Sequence, residues 1–180
     1  FNGYGPTETT VFATFHPIDH IDDTLGSIPI GRPIANTAIY ILDNLHHLVP
    51  IGVPGELFIG GPGVARGYLN HKELTDESFV EIDGLGSRRG YAPQSRYLYK
   101  TGDLGRYLPS GDIVFLGRID QQVKIRGFRI ELGEIRQLLI DHGDVADAII
   151  TAPASPSGDR TIFAYVVAVE GGSVSAEALK

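Results

Sequence analysis

Tyr99-Lys100-Thr101-Gly102-Asp103-Leu104 leads into two β-prone runs, Gly105 to Leu108 and Asp112 to Leu116, which meet at Pro109-Ser110-Gly111. Proline fixes an early turn position and glycine accepts a left-handed one, so this punctuation predicts a tight reversal and a β-hairpin. No other stretch constrains the fold as strongly, because closing the hairpin brings Asp103 and Arg118 toward one end of a single two-stranded unit. An acid and a guanidinium placed there can accept from and donate to the two hydroxyls of a ribose through directional hydrogen bonds. For these two residues alone the simpler reading is an ion pair on the surface at the hairpin base.

The texture before the hairpin is that of short strands and turns. Residues 1 to 10 read as a Gly/Pro/Thr-rich loop, Thr10 to Phe15 as a weakly alternating β-prone run, and His16 to Pro29 as a polar connection. Ala38 to Leu42 and Glu56 to Ile59 read as strands, separated by Pro50-Ile-Gly-Val-Pro-Gly55, and such close spacing predicts a small barrel or folded sheet. Asn70 followed by Glu73 resembles a capping box, which predicts a short helix over 71–78. Gly84 to Ser95 has no periodicity and reads as an exposed loop.

Past Arg118 the pattern changes. Gln122 to Ile125 and Phe128 to Leu132 are β-prone runs joined through Gly127, and Gly133 to His142 carries Ile135, Leu138 and Leu139 at helical spacing before Gly143. Val145 to Thr151 and Thr161 to Val169 are strand candidates dominated by apolar residues, separated by a Pro/Ser-rich loop. Strand, hairpin, helix, strand, strand, helix describes a compact α+β unit. The expected division is residues 1–118 and 119–180, with the boundary at Ile119 to Gln121.

Totals remove several classes of function. With 22 acidic against 15 basic residues and a formal charge of -7, the chain lacks the basic surface that phosphate backbones require, so no nucleic-acid partner is expected. There is no Cys, which excludes disulfides and thiolate metal sites. No apolar run nears the roughly 20 residues needed to span a bilayer, so no membrane partner and a cytoplasmic location are expected. The six histidines lack paired-ligand spacing and argue against zinc. The chain contains no Met, opens on a turn sequence, and closes where Ser175 and Glu177 suit a helix start, so it is expected to be a segment of something longer.

Asn2-Gly3-Tyr4-Gly5-Pro6-Thr7-Glu8 concentrates an amide, an aromatic ring, a hydroxyl and a carboxylate in seven residues stiffened by Gly and Pro. These groups suit a nucleotide: a face for a purine, an amide for its exocyclic amine, a hydroxyl for a phosphate oxygen, and hard oxygens for Mg²⁺. A turn whose tyrosine packs inward is the structural alternative. Gly60-Gly-Pro-Gly-Val-Ala-Arg-Gly67 matches neither phosphate-loop order, and a structural strand exit explains it better.

Four stretches taken together closely resemble successive core motifs of the adenylation domains of nonribosomal peptide synthetases, relatives of the acyl-CoA synthetases and luciferases. They are Asn2 to Glu8, Gly55 to Leu69, Tyr99 to Leu104, and Gly117 to Ile135. The resemblance implies an α+β fold comprising the end of the large subdomain, with a distorted β-barrel, then most of the small C-terminal subdomain. It implies a ligase reaction in which an amino acid carboxylate attacks the α-phosphate of ATP, with Mg²⁺ bound. Pyrophosphate leaves, and the aminoacyl adenylate passes to the phosphopantetheine thiol of a peptidyl carrier protein, beside neighbouring synthetase domains.

The resemblance also implies residue roles. Asn2 reads the adenine amine, Tyr4 stacks on the ring, Thr7 meets the α-phosphate and Glu8 holds Mg²⁺. Asp103 takes the ribose hydroxyls with help from Arg118, and Phe115 packs near the adenine. Asp120 falls on the family's hinge; Lys124, Arg126 and Gly127 lie on the loop presented in the thioester-forming pose. For Lys124 and Arg126 a solvated charged hairpin is the structural alternative. Gly3, Val11 and Phe12 match positions that line the amino acid pocket, and their apolar surface points to a modest aliphatic substrate such as valine or isoleucine.

Departures from the family pattern bear on activity. The phosphate loop and the aspartate that pairs with the substrate amine would precede Phe1, and the catalytic lysine would follow Lys180. Without that preorganised positive charge these 180 residues alone are expected not to catalyse adenylation. Arg136 stands where acidic residues are usual. Two other classes of function remain open at this point: a non-catalytic module that binds a carrier or helper protein, and a stand-alone acyl-CoA ligase.

Overall fold

The computed structural model describes residues 1–22, 25–83, 85, 97–119, 122–125, 128–155, 159–170 and 174–175. The chain divides into two compact units, Phe1–Ile119 and Asp120–Lys180.

The first unit begins with an antiparallel three-stranded sheet of β1 (Asn2–Tyr4), β2 (Thr14–His16) and β3 (Arg32–Pro33). The opening loop expected over residues 1–10 therefore contains a strand, and the run expected to start at Thr10 starts at Thr14. The reason is local: Thr10 and Val11 both take φ near +60°, a left-handed backbone incompatible with a strand, and Phe12 N donates to Thr10 O at 2.8 Å. A single 3₁₀ turn, Thr7–Thr9, fills the space between β1 and β2.

The larger sheet contains β4 (Ala38–Leu42), β5 (Gly55–Gly60), β6 (Phe79–Val80), β7 (Leu98–Tyr107) and β8 (Ile113–Arg118). The ten-residue β7 organises it. Strand β5 runs along one edge, and β6 and β8 follow one another along the other. Gly111 N donates to Leu108 O at 2.9 Å and closes the β7–β8 reversal. The expected barrel is an open arrangement: among the described residues no ring of ladders closes, and the Gly31–Ile113 bridge links the two sheets.

Leu57 and Ile59 of β5 join Ala13, Ile30, Ile39, Ile41 and Ile113 in one core, while Phe58 joins Leu42 and Leu98 in another. Alternation along β5 thus buries both of its faces, which accounts for the unbroken apolar run Leu57-Phe58-Ile59. Helix α1 (Lys72–Ser78) starts one residue later than expected and without the capping box. Asn70 sits at φ +60° and turns the chain, so His71 occupies the cap position, and no side chain caps the helix.

The second unit pairs β9 (Val123–Ile125) with β10 (Phe128–Ile130) and β11 (Val145–Thr151) with β12 (Phe163–Ala168), with α2 (Leu132–Ile140) between the hairpins. Its core is Leu132, Ile150 and Ala152, against which Ile135 and Leu139 pack at helical spacing. Leu138, expected on the same stripe, is exposed. On the β11–β12 hairpin Ile149, Phe163, Tyr165 and Val167 are exposed. Arg136 donates to Ala148 O and Asp147 Oδ1, each at 2.8 Å, and so ties α2 to β11. The Gly84–Ser95 stretch, apart from residue 85, and the helix expected after Ser175 lie outside the described residues. Among those residues no helix is long and apolar enough to cross a membrane.

Candidate nucleotide-binding site

The site's anchor is a bulge in β7. Glu56 faces Leu104 and Phe58 faces Lys100, so Leu57 alone opposes Thr101, Gly102 and Asp103. Each of the three residues has a local task. The buried Thr101 hydroxyl donates to Leu57 O at 2.8 Å and accepts from Asp103 N at 2.9 Å, satisfying two backbone groups at the kink. Gly102 takes φ +72°, a conformation that costs an ordinary residue free energy, and its N–H donates to Glu56 Oε1 at 3.0 Å. The bulge then re-aims Asp103, as such irregularities do beside functional sites.

Asp103 and Arg118 are direct cross-strand partners in the β7–β8 ladder. Arg118 Nη1 donates to Asp103 Oδ1 at 2.8 Å. This is not the surface pair that the two residues alone suggested: their side chains are 20% and 8% exposed, so the carboxylate is held away from bulk water. On its other oxygen Asp103 accepts a 2.5 Å hydrogen bond from the Tyr4 hydroxyl, across 99 residues of sequence.

Tyr4 is fixed by that bond and by Phe115, whose ring centroid lies 6.4 Å away at 35°. Burial, then the negative Asp103 carboxylate, push the Tyr4 hydroxyl's pKa far above its usual value, so it remains a protonated donor. Gly5 allows the turn after β1, since a Cβ there would lie 2.5 Å from Val11 O and 2.7 Å from Ala13 N. Asn2 Nδ2 donates to Pro29 O at 2.8 Å and Ile28 O at 3.3 Å, an arrangement that leaves its Oδ1 as the acceptor. Thr7 is exposed on the 3₁₀ turn, and Glu8 follows it, half-buried.

Glu8 belongs to a second cluster. Its Oε1 accepts from the Tyr68 hydroxyl at 2.7 Å, and its carbonyl accepts from Ala65 N at 2.8 Å. The Gly60–Gly67 stretch therefore packs against the 3₁₀ turn, with Thr10 Oγ1 donating to Gly63 O at 2.8 Å. Tyr99, buried at 2%, belongs to this second cluster, its phenol hydrogen-bonded with the Tyr68 hydroxyl. Tyr68, Thr101 and Tyr99 were not singled out from sequence, because nothing in a linear pattern announces partners 60, 44 and 31 residues away.

Of the pocket positions, Val11 and Phe12 are 66% and 56% exposed, and the Phe12 ring covers Gly3, whose added Cβ would meet it at 2.9 Å. Lys124 lies in β9. Asp120, Arg126 and Gly127 lie outside the described residues.

Residues 1–69 match the AMP-binding enzyme family. Gramicidin S synthase 2 of Brevibacillus brevis is 50% identical over 175 residues, 97% of this chain and 4% of that protein. Bacitracin synthase 1 of Bacillus licheniformis is 52% identical over 165 residues, 92% of this chain and 3% of its own length. Among solved structures, holo-PA1221, a nonribosomal peptide synthetase protein containing adenylation and PCP domains, superposes with a TM-score of 0.79 at 34% identity, over 99% of this chain and 29% of that one. The chain thus spans a small part of each relative. Its motifs, its α+β fold and this level of identity together mean that the chain belongs to the AMP-binding, adenylate-forming enzymes, in the branch of the nonribosomal peptide synthetase adenylation domains.

Proposed function

We propose that this chain is the nucleotide-holding part of an amino-acid-activating ligase. In the reaction an amino acid carboxylate oxygen forms a bond to the α-phosphorus of ATP, the bond from that phosphorus to the bridging oxygen breaks, and pyrophosphate leaves with the electron pair. The phosphopantetheine thiol of a carrier protein then forms a bond to the acyl carbon of the aminoacyl adenylate, the bond from that carbon to the phosphate oxygen breaks, and AMP leaves as the thiol gives up its proton. The observation that carries this reading is the convergence of Tyr4, Asp103 and Arg118 in one hydrogen-bonded group, with Phe115 against the Tyr4 ring.

In this reading the Asp103 oxygens accept from the ribose hydroxyls, and Arg118 keeps the carboxylate ionised and oriented. The Tyr4 ring stacks on adenine while its hydroxyl stays bound to Asp103, so base and sugar sites are set by one rigid unit. Asn2 Oδ1 accepts from the exocyclic amine, and the exposed Thr7 hydroxyl donates to an α-phosphate oxygen.

Glu8 offers Mg²⁺ a hard oxygen ligand. Among the described residues no group of three or more His, Asp or Glu could hold a metal alone, which suits an ion that takes one or two carboxylates and completes its shell with water and substrate phosphates. Bound there, Mg²⁺ would neutralise charge on the phosphates. Val11, Phe12 and Gly3 bound a pocket for a small aliphatic side chain. Asp120 is the hinge, and Lys124, Arg126 and Gly127 serve the thioester-forming pose.

ATP–pyrophosphate exchange by the protein that carries this chain, run against the twenty amino acids, tests the proposal. Exchange with valine or isoleucine is expected, and enlarging Val11 or reducing Phe12 should alter the preference. Tight ATP binding with no exchange for any amino acid would leave a nucleotide-binding module and overturn the ligase reading.

A further inference from the structure

The geometry points to Tyr68 as the residue that positions the Glu8 carboxylate toward a divalent cation, an inference that rests on Glu8 being the metal-holding side chain. Glu8 is gripped twice by one short stretch, at its backbone carbonyl by Ala65 N and at its side chain by the Tyr68 hydroxyl. A glutamate on an exposed turn samples many rotamers and loses that freedom on binding an ion. Here the donor on Oε1 selects the orientation before any ion arrives.

Tyr68 can do this because it is itself held. Its ring meets the buried Phe79 ring edge-on at 5.5 Å and 69°, and its N–H donates to Thr75 Oγ1 at 2.9 Å. The Thr75 hydroxyl in turn donates to His71 O at 2.8 Å, anchoring the stretch to the first turn of α1. The hydroxyl's place beside Glu8 also assigns a task to Gly60–Leu69, whose composition had suggested only a strand exit. A donor on a metal-ligating carboxylate is the kind of outer-shell contact whose loss costs about 10- to 100-fold in metal affinity.

The test measures ATP binding in the absence of amino acid, as a function of Mg²⁺ concentration, for the protein that carries this chain and for Tyr68→Phe, Glu8→Gln and Phe79→Leu. Mn²⁺ binding followed by electron paramagnetic resonance gives a second readout independent of turnover. Tyr68→Phe keeps the ring packing and removes the hydroxyl, and with it the donor on Glu8 and the contact with Tyr99. It should raise the Mg²⁺ midpoint about ten-fold. Glu8→Gln should raise it further, and Phe79→Leu, which loosens the ring but keeps the hydroxyl donor, should lower thermal stability and move the midpoint less than Tyr68→Phe does. A wild-type midpoint in Tyr68→Phe beside a shifted one in Glu8→Gln would overturn the positioning role and leave Glu8 as the ligand. Equal shifts in Tyr68→Phe and Phe79→Leu would reduce the contact to packing and also overturn it. An unchanged midpoint in Glu8→Gln would remove Glu8 from the metal site, and the inference with it.

Discussion

If Tyr4 and Asp103 act as one unit, their effects on stability must couple. Tyr4→Phe deletes a 2.5 Å hydrogen bond to an acceptor that is 8% exposed and leaves the ring against Phe115. A hydrogen bond to a charged group contributes about 1.5 to 3 kcal/mol, whereas a neutral pair contributes about 0.5 to 1.5 kcal/mol. In an Asp103→Asn background the same hydroxyl faces a neutral amide oxygen, so Tyr4→Phe should cost about 1 kcal/mol less there than in the wild type. Urea unfolding of the four proteins, followed by tyrosine emission since the chain has eight Tyr and no Trp, reads this difference directly. Additivity within about 0.3 kcal/mol at unchanged m-values would mean that the Tyr4 hydroxyl draws nothing from the charge on Asp103, and would refute their acting as one charged unit.

Three further perturbations bear on the frame around the site. Gly5→Ala forces a Cβ to within 2.5 Å of Val11 O, and thermal unfolding should show a loss of about 1 to 3 kcal/mol, comparable to overpacking. Val11→Gly relieves a β-branched residue at φ +63°, worth about 1 to 2 kcal/mol, against a chain-entropy cost of about 0.5 to 1 kcal/mol. Because Val11 is 66% exposed and gives up little burial, the midpoint should stay level or rise; a fall would show that its side chain packs usefully. Burial raises the Glu56 pKa, against the lowering effects of Lys100, the Gly102 N–H and His46, while Asp103 adds to the rise. An acid whose folded-state pKa is raised stabilises the fold least when ionised, so stability contributed through Glu56 falls as pH rises from 4.5 through the higher folded value. Glu56→Gln should therefore raise the unfolding midpoint at pH 7, and the gain should shrink as pH drops toward 4.5; a gain independent of pH would assign the effect to packing.

Much of the frame was legible because its signals are local. Pro109-Ser110-Gly111 between two β-prone runs marks the reversal, and the run Ala38 to Leu42 matches strand β4 residue for residue. What failed also failed locally. Thr10 to Phe15 reads as β-prone by composition, yet left-handed backbone at Thr10 and Val11 overrides it. The Asn70/Glu73 spacing fits a capping box, but that motif needs an extended residue at the cap, and Asn70 is left-handed. The candidate site divides in the same way. Asp103 and Arg118 could be brought together from one hairpin, whereas the hydrogen bond that Asp103 accepts from Tyr4 crosses 99 residues of sequence. Tyr68 on Glu8 is invisible for the same reason, since its partner lies 60 residues upstream.

The central claim is that Asp103 recognises ribose hydroxyls while Tyr4 and Arg118 hold it. Calorimetric titration of ATP and 2′,3′-dideoxy-ATP into the wild type and Asp103→Ala tests it most directly, because the contact is removed once from the ligand and once from the protein. Wild type should prefer ATP by about ten-fold or more, the equivalent of about 1.4 kcal/mol, and Asp103→Ala should bind both nucleotides alike. A preference for ATP that survives intact in Asp103→Ala would contradict the account.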